Sequence, residues 1–132
     1  MNEGLAMGDH DYIFTFVNER FAEMLGYSRE EMIGHHILEF VHEDYQGFMK
    51  NQMAARRIGE AKSYEIDWRA KDGGRVYTLI SPKGFYDSKG QFTGSLGVLT
   101  DITDRKRAEE ALQRAHADLE LRVQERTAEL LS

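Results

Sequence analysis

From Asp104 to Ser132 the chain has no glycine or proline and is rich in Ala, Leu, Glu, Gln and Arg, whereas all 12 glycines and the one proline lie before it. Helix propensity favours this tail throughout. At ~1.5 Å per residue its 29 residues run roughly 43 Å, longer than a small domain is wide. Its apolar residues form one narrow stripe: Ala108, Leu112, Ala115, Leu119, Val123 and Leu130. Steps of 4, 3 and 4 lead to Leu119, and another step of 4 to Val123 departs from the heptad as a stutter does. Such a stripe suits a two-helix seam better than a broad core face. The expectation is a parallel coiled coil over 104–132 that makes the protein a homodimer, the alternative being a helix folded back on its own domain. With six basic and seven acidic residues the tail is nearly neutral and can pair with its own copy; most of the net charge of −6 falls on residues 1–103.

That charge leaves no basic field to draw the chain to nucleic acid. The lack of cysteine removes disulfides, Cys-ligated metal, iron–sulfur clusters, thiol nucleophiles and photochemistry through a cysteine adduct. No apolar run approaches the ~20 residues that span a bilayer, and Met1 to His10 has neither the basic start nor the apolar stretch of a leader. A cytoplasmic chain without membrane contact is expected.

Before the tail, two periods alternate. Leu5 to Gly8 and Tyr12 to Val17 read as strands, the second with Tyr12, Phe14 and Phe16 on one face. Asn18 is placed to cap a helix over Glu19 to Leu25, which Gly26 ends. Ser28-Arg29-Glu30-Glu31 is a capping box, flanked by Tyr27 and Met32 as a hydrophobic staple. Helical spacing returns from Asp44 to about Ile58, with Gly59 as its stop. Ser63 to Ala70 alternates Tyr64, Ile66 and Trp68 against polar residues, Asp72-Gly73-Gly74 turns the chain, and strands follow at Arg75 to Tyr86 and Gly94 to Ile102. Hairpins in series predict an α+β domain over 1–103, with an antiparallel sheet and short helices on one face.

Several segments, in order and over roughly residues 3–106, resemble the PAS sensory-domain family: Phe16-Val17-Asn18, Leu25-Gly26-Tyr27-Ser28, Glu30-Glu31-Met32-Ile33-Gly34, Lys71-Asp72-Gly73-Gly74 and Asp101-Ile102-Thr103-Asp104-Arg105-Lys106. The resemblance implies a PAS-like five-stranded antiparallel sheet of order 2-1-5-4-3. The tail, Arg122 to Leu130, resembles the linker helix that leads from such domains to the dimerisation region of sensor histidine kinases in two-component systems; similar helices precede diguanylate cyclases. The implied role is an input and dimerisation module for a downstream output domain. Nothing resembles a catalytic domain, and His116 reads as a solvated helix position, so the piece itself is expected to be catalytically silent. Relatives often carry His-Pro-x-Asp where this chain has His42-Glu43-Asp44, which implies a looser entry to the central helix.

Members of this family bind haem, flavin, small metabolites or nothing between sheet and helices. The usual haem ligand would be a His on the central helix, and Asp44 to Ile58 has none. Covalent flavin needs a cysteine; non-covalent flavin or a small apolar ligand stays open, beside a ligand-free dimerisation scaffold. The candidate lining is Phe14, Phe16, Met24, Phe40, Phe48, Met49, Met53, Trp68, Leu96 and Val98, residue types that fill ordinary cores as readily. No arginine falls in these inward patterns, which points away from an acidic ligand. His35, His36 and His42 with Glu43 and Asp44 are the only metal-competent cluster; adjacent His35 and His36 cannot readily point the same way and His42 reads as a local cap, so no metal site is expected. Asp101, Thr103 and Asp104 stand where the last strand becomes the helix, in position to cap it and carry a signal across the joint.

Overall fold

The computed structural model describes residues 2–131, Glu129 and Leu131 by their backbone alone; the first and last residues of the expected spans, Met1 and Ser132, lie outside it. Two compact units meet between Ile102 and Thr103, so that Thr103 opens the second.

In the first unit, β1 (Gly4–Asp9), β2 (Phe14–Val17), β3 (Tyr64–Arg69), β4 (Arg75–Tyr86) and β5 (Phe92–Asp101) form one sheet. Its order is β2-β1-β5-β4-β3, with every neighbouring pair antiparallel, as the resemblance implies. Helices α1 (Glu19–Leu25), α2 (Arg29–Met32) and α3 (Gln46–Arg57) and single 3-10 turns at Ile37–Glu39 and Glu43–Tyr45 supply the other half of the core. Trp68 is its centre, 1% exposed, edge-on to Phe21 at 5.2 Å between ring centroids. The indole N–H of Trp68 donates to Thr78 Oγ1 at 2.7 Å, and that hydroxyl donates on to the Ile66 carbonyl at 3.1 Å. A buried indole therefore leaves no polar atom unpaired.

Asn18 caps α1 as its position predicts, accepting from Phe21 N at 3.0 Å, and Gly26 closes the helix at φ 80°. The same Asn18 oxygen accepts from Leu5 N at 3.0 Å, while the side-chain amide donates to the Glu3 carbonyl at 3.1 Å. One side chain thus fastens the start of α1 to β1. The capping box at Ser28 and Glu31 forms as its spacing predicts.

The entry to α3 is held by polar contacts in place of the family's proline. His42 Nδ1 accepts from Asp44 N at 3.1 Å and from Arg75 at 3.1 Å, and Arg75 reaches Asp44 at 2.5 Å and Asp67 at 3.2 Å. Gln46 donates to the Leu38 and Val41 carbonyls at 2.9 and 2.8 Å.

The second unit is α4 (Thr103–Leu131), one helix of 29 residues. Leu112, Leu119, Val123 and Leu130 are each more than half exposed. Arg105–Glu109 and Arg122–Asp118 pair along its surface at the spacing that supports an isolated helix.

Asn18→Ala removes both a cap and the partner of a part-buried strand N–H. It is expected to destabilise the first unit by about 2 kcal/mol, and Ser28→Ala, which loses a solvent-exposed cap, by about 1 kcal/mol or less, in urea denaturation. Asn18→Asp keeps the acceptor and should fall between wild type and Asn18→Ala.

Candidate functional site

The inner face of the sheet carries a small cavity because its central strand puts small residues there. Ser95, Gly97 and Leu99 of β5 form its floor with Ala6 and Gly8 of β1; Ile80 and Trp68 close one side, and Tyr12, Phe14, Ile37 and Arg56 cover it. Register places Ser95 beside Gly8 and Gly84, and Gly97 beside Ala6 and Pro82, so few bulky side chains enter this row. A Cβ at Gly97 would lie 3.0 Å from Ile80 Cδ1. The free volume is about 20 Å³, room for a water-sized group, far below the ~300 Å³ and more that a cofactor-sized ligand needs. A flavin does not fit.

Arg56, in the last turn of α3, is 2% exposed. Its guanidinium donates from Nη2 to the Tyr64 hydroxyl and lies over the rings of Tyr64 and Tyr12, at 5.7 and 6.0 Å from their centroids. The Tyr64 hydroxyl donates to Met49 Sδ at 3.4 Å. Two further phenols hold the end of the helix backbone: Tyr12 donates to the Met53 carbonyl at 2.5 Å and Tyr86 to the Arg56 carbonyl. Tyr12 reaches inward from a left-handed backbone, φ 62°, a strained conformation for a bulky residue that the turn around Asp9 enforces. Asp9 accepts from Asp11 N and Ile13 N through its carboxylate and from Tyr12 N through its carbonyl.

Of the ten residues expected to line a ligand site, Phe14 and Trp68 border this cavity. Met24, Phe40 and Met49 are buried in the surrounding core, Met53 packs against it, and Phe48 is 39% exposed. Three belong elsewhere. Leu96 and Val98 alternate with the cavity-lining residues of β5 and so lie on the opposite face of the sheet. Phe16 is 39% exposed because β1 and β2 shift register between Met7 and Gly8: Gly8 faces Phe14 while Met7 faces Phe16, which makes Thr15 the extra residue of a bulge. The expectation that no arginine turns inward is overturned by Arg56, which continues the α3 stripe of Tyr45, Met49 and Met53. His35 pairs with Glu39 at 3.2 Å, His36 caps the turn at Ile37, and His42 caps the turn at Glu43.

Burial pushes the Tyr64 hydroxyl from the ordinary 10.0 up to about 12, with the Arg56 charge opposing. The Tyr12 hydroxyl is raised by burial too. A phenol that holds its proton more tightly when folded contributes stability that is whole below its unfolded pKa and is lost as pH rises through the folded one. Stability in urea is therefore expected to fall by on the order of 2 kcal/mol as pH rises from ~10 toward ~12 through Tyr64 alone, and Tyr64→Phe should flatten that slope.

A PAS domain profile matches residues 2–104. Sporulation kinase C of Bacillus subtilis (strain 168) is 33% identical over 105 residues, covering 74% of this chain and 23% of that protein. Sporulation kinase A of the same organism is 29% identical over 114 residues, covering 83% and 18%. The chain spans less than a quarter of the length of these curated relatives. Among solved structures, a sensory box histidine kinase/response regulator from Burkholderia thailandensis E264 superposes with a TM-score of 0.74 at 22% identity, over 90% of this chain and 91% of that one. With the profile running through all five strands and the fold shared at that superposition, the chain belongs to the PAS domain family.

Proposed function

We propose that this chain is the signal-sensing and dimerisation module of a larger cytoplasmic signalling protein, a sensor histidine kinase. The observation that carries this reading is the double role of β5. The strand supplies Ser95, Gly97 and Leu99 to the cavity floor, and it ends at Asp101, one residue before the 29-residue helix. Ile102 between them is 8% exposed and donates its N–H to the Tyr77 carbonyl at 2.9 Å. A shift of the floor along or across the sheet is thereby passed to the first turn of α4 at Thr103 and Asp104.

The helix completes the device. An exposed stripe of Ala108, Leu112, Ala115, Leu119, Val123 and Leu130 on 29 residues leaves too much apolar surface in water to stay unpaired and has too regular a spacing for a solvated linker. A second copy supplies the matching seam. The stutter at Leu119 to Val123 is the place where two such helices exchange rotation or register. A ligand biases such a switch only when the two states differ by a few kcal/mol. The kinase assignment draws on the relatives named above. No helix among the described residues is long and apolar enough to cross a membrane.

A second reading, a ligand-free dimerisation scaffold, is favoured by the smallness of the cavity, about 20 Å³. Both readings require the dimer. Light scattering is expected to give twice the chain mass of 15.2 kDa, and Leu112→Glu with Leu119→Glu should weaken the dimer at least tenfold; a wild-type chain that is monomeric at all concentrations would sink both. Signalling separates them. In the full-length parent, Asp101→Ala should change output while the domain's melting temperature stays within a few degrees, and unchanged output leaves the scaffold reading.

A further inference from the structure

We propose that His42 and Arg75 form a proton-operated switch that acts on the strand-to-helix joint independently of the cavity. This rests on the transmission reading above and adds an input to it. Two N–H donors point at one ring nitrogen: Nδ1 of His42 accepts from Asp44 N and from Arg75 Nη2, each at 3.1 Å. A nitrogen that accepts carries no proton, so this arrangement belongs to the neutral ring with its hydrogen on Nε2. Protonation places a hydrogen on Nδ1 and removes both bonds at once. It also sets an imidazolium against a guanidinium.

The surrounding charges decide where each group then goes. Glu43 and Asp44 lie on the turn that His42 caps, Asp67 and Arg69 come from β3, and Arg75 and Tyr77 from β4. Arg69 is committed to the Glu39 carbonyl at 2.9 Å. Asp44 and Asp67 both hold Arg75, but on unequal terms. The Asp67 side chain is 7% exposed, and a buried carboxylate stripped of its counter-charge is strongly destabilised. The Asp44 side chain is 64% exposed, loses little when an ion pair breaks, and has its Oδ2 already 3.7 Å from Nδ1. On protonation Asp44 therefore passes from Arg75 to the new Nδ1–H, while Arg75 stays with Asp67. Because one ion pair replaces another, the two arrangements lie close in free energy, as a switch requires.

The exchange reaches the joint through β4. Arg75 lies over the Tyr77 ring at 6.0 Å from its centroid, and the Tyr77 carbonyl accepts from Ile102 N, the residue before α4. Thr78, the next residue, pairs with Asp101 at the end of β5. One guanidinium thus links the turn that opens α3 to the end of the exit strand.

Nitrogen NMR of the isotopically labelled 132-residue chain tests this, titrated from about pH 8 to about pH 5, the span in which histidine changes charge. At the upper end the His42 Nδ1 signal should be that of an unprotonated ring nitrogen. As pH falls, the Asp44 and Ile102 amide signals should shift with the same midpoint as the His42 ring. His42→Asn keeps a cap acceptor that takes no proton; it should remove that step from both amides and leave the titrations of His10, His35, His36 and His116 in place. A protonated Nδ1 at the upper end overturns the proposal, as does an Ile102 amide that ignores the His42 midpoint or keeps its step in His42→Asn. If that variant fails to fold, the wild-type tautomer and midpoints decide the matter. An overturned switch leaves the dimer mass and the Asp101→Ala outcome untouched, so the two readings fail separately.

Discussion

A guanidinium without a carboxylate partner is held inside this domain by tyrosines, and the arrangement of α3 over the sheet follows from it. Arg56 lies in the last turn of α3, where Tyr64 of β3 meets its side chain and Tyr86 of β4 meets its carbonyl. Tyr12, from the turn between β1 and β2, caps the Met53 carbonyl. The exposed carbonyls of a helix C-terminus carry partial negative charge, which a nearby cation and hydroxyl donors both offset. Three strands or turns thus grip one helix end, and the cavity lies beneath that grip. Outside it, Arg57 lies over Phe92 at 5.1 Å and donates to the His10 carbonyl at 2.5 Å, extending the contact to the start of β5.

This places the polar heart of the domain one strand away from its exit. β5 pairs with β1 on one side and β4 on the other, so displacing it disturbs both hydrogen-bonded ladders. Its inner side chains face the cavity and its end leads into α4. In a packed domain such a strand moves as a unit with its neighbours, because a close-packed core transmits strain rather than absorbing it. A larger cavity would require yet smaller residues or a retreat of α3, and the tyrosine contacts oppose that retreat.

Local chemistry made much of the architecture legible in advance. Asn18 before an amphipathic segment, Ser28 with Glu31, and the alternation of Tyr64, Ile66 and Trp68 each rest on contacts within a few residues or on a strict period, and each appears as its pattern requires. The site was less legible. By bulk, Leu96 and Val98 read as inward; the inner face of β5 instead carries Ser95, Gly97 and Leu99, where a Cβ at Gly97 would already lie 3.0 Å from Ile80 Cδ1 of the neighbouring strand. Phe16 shares the parity of Phe14 in sequence but not in space, since a bulge turns the strand between them. Arg56 ends a stripe of apolar residues at helical spacing, and its charge masked it as part of that stripe.

The sequence by itself determined the elements, their caps, the antiparallel order through the family motifs, and a long helix with one apolar stripe, because these depend on short-range spacing and propensity. Only the tertiary structure decided which face of β5 is inside, where the bulge reverses β2, and that three tyrosines from distant segments converge on the Arg56 end of α3 beside one small cavity. Those outcomes depend on register between strands and on which side chains meet across layers, and neither is encoded in the periodicity of any one segment.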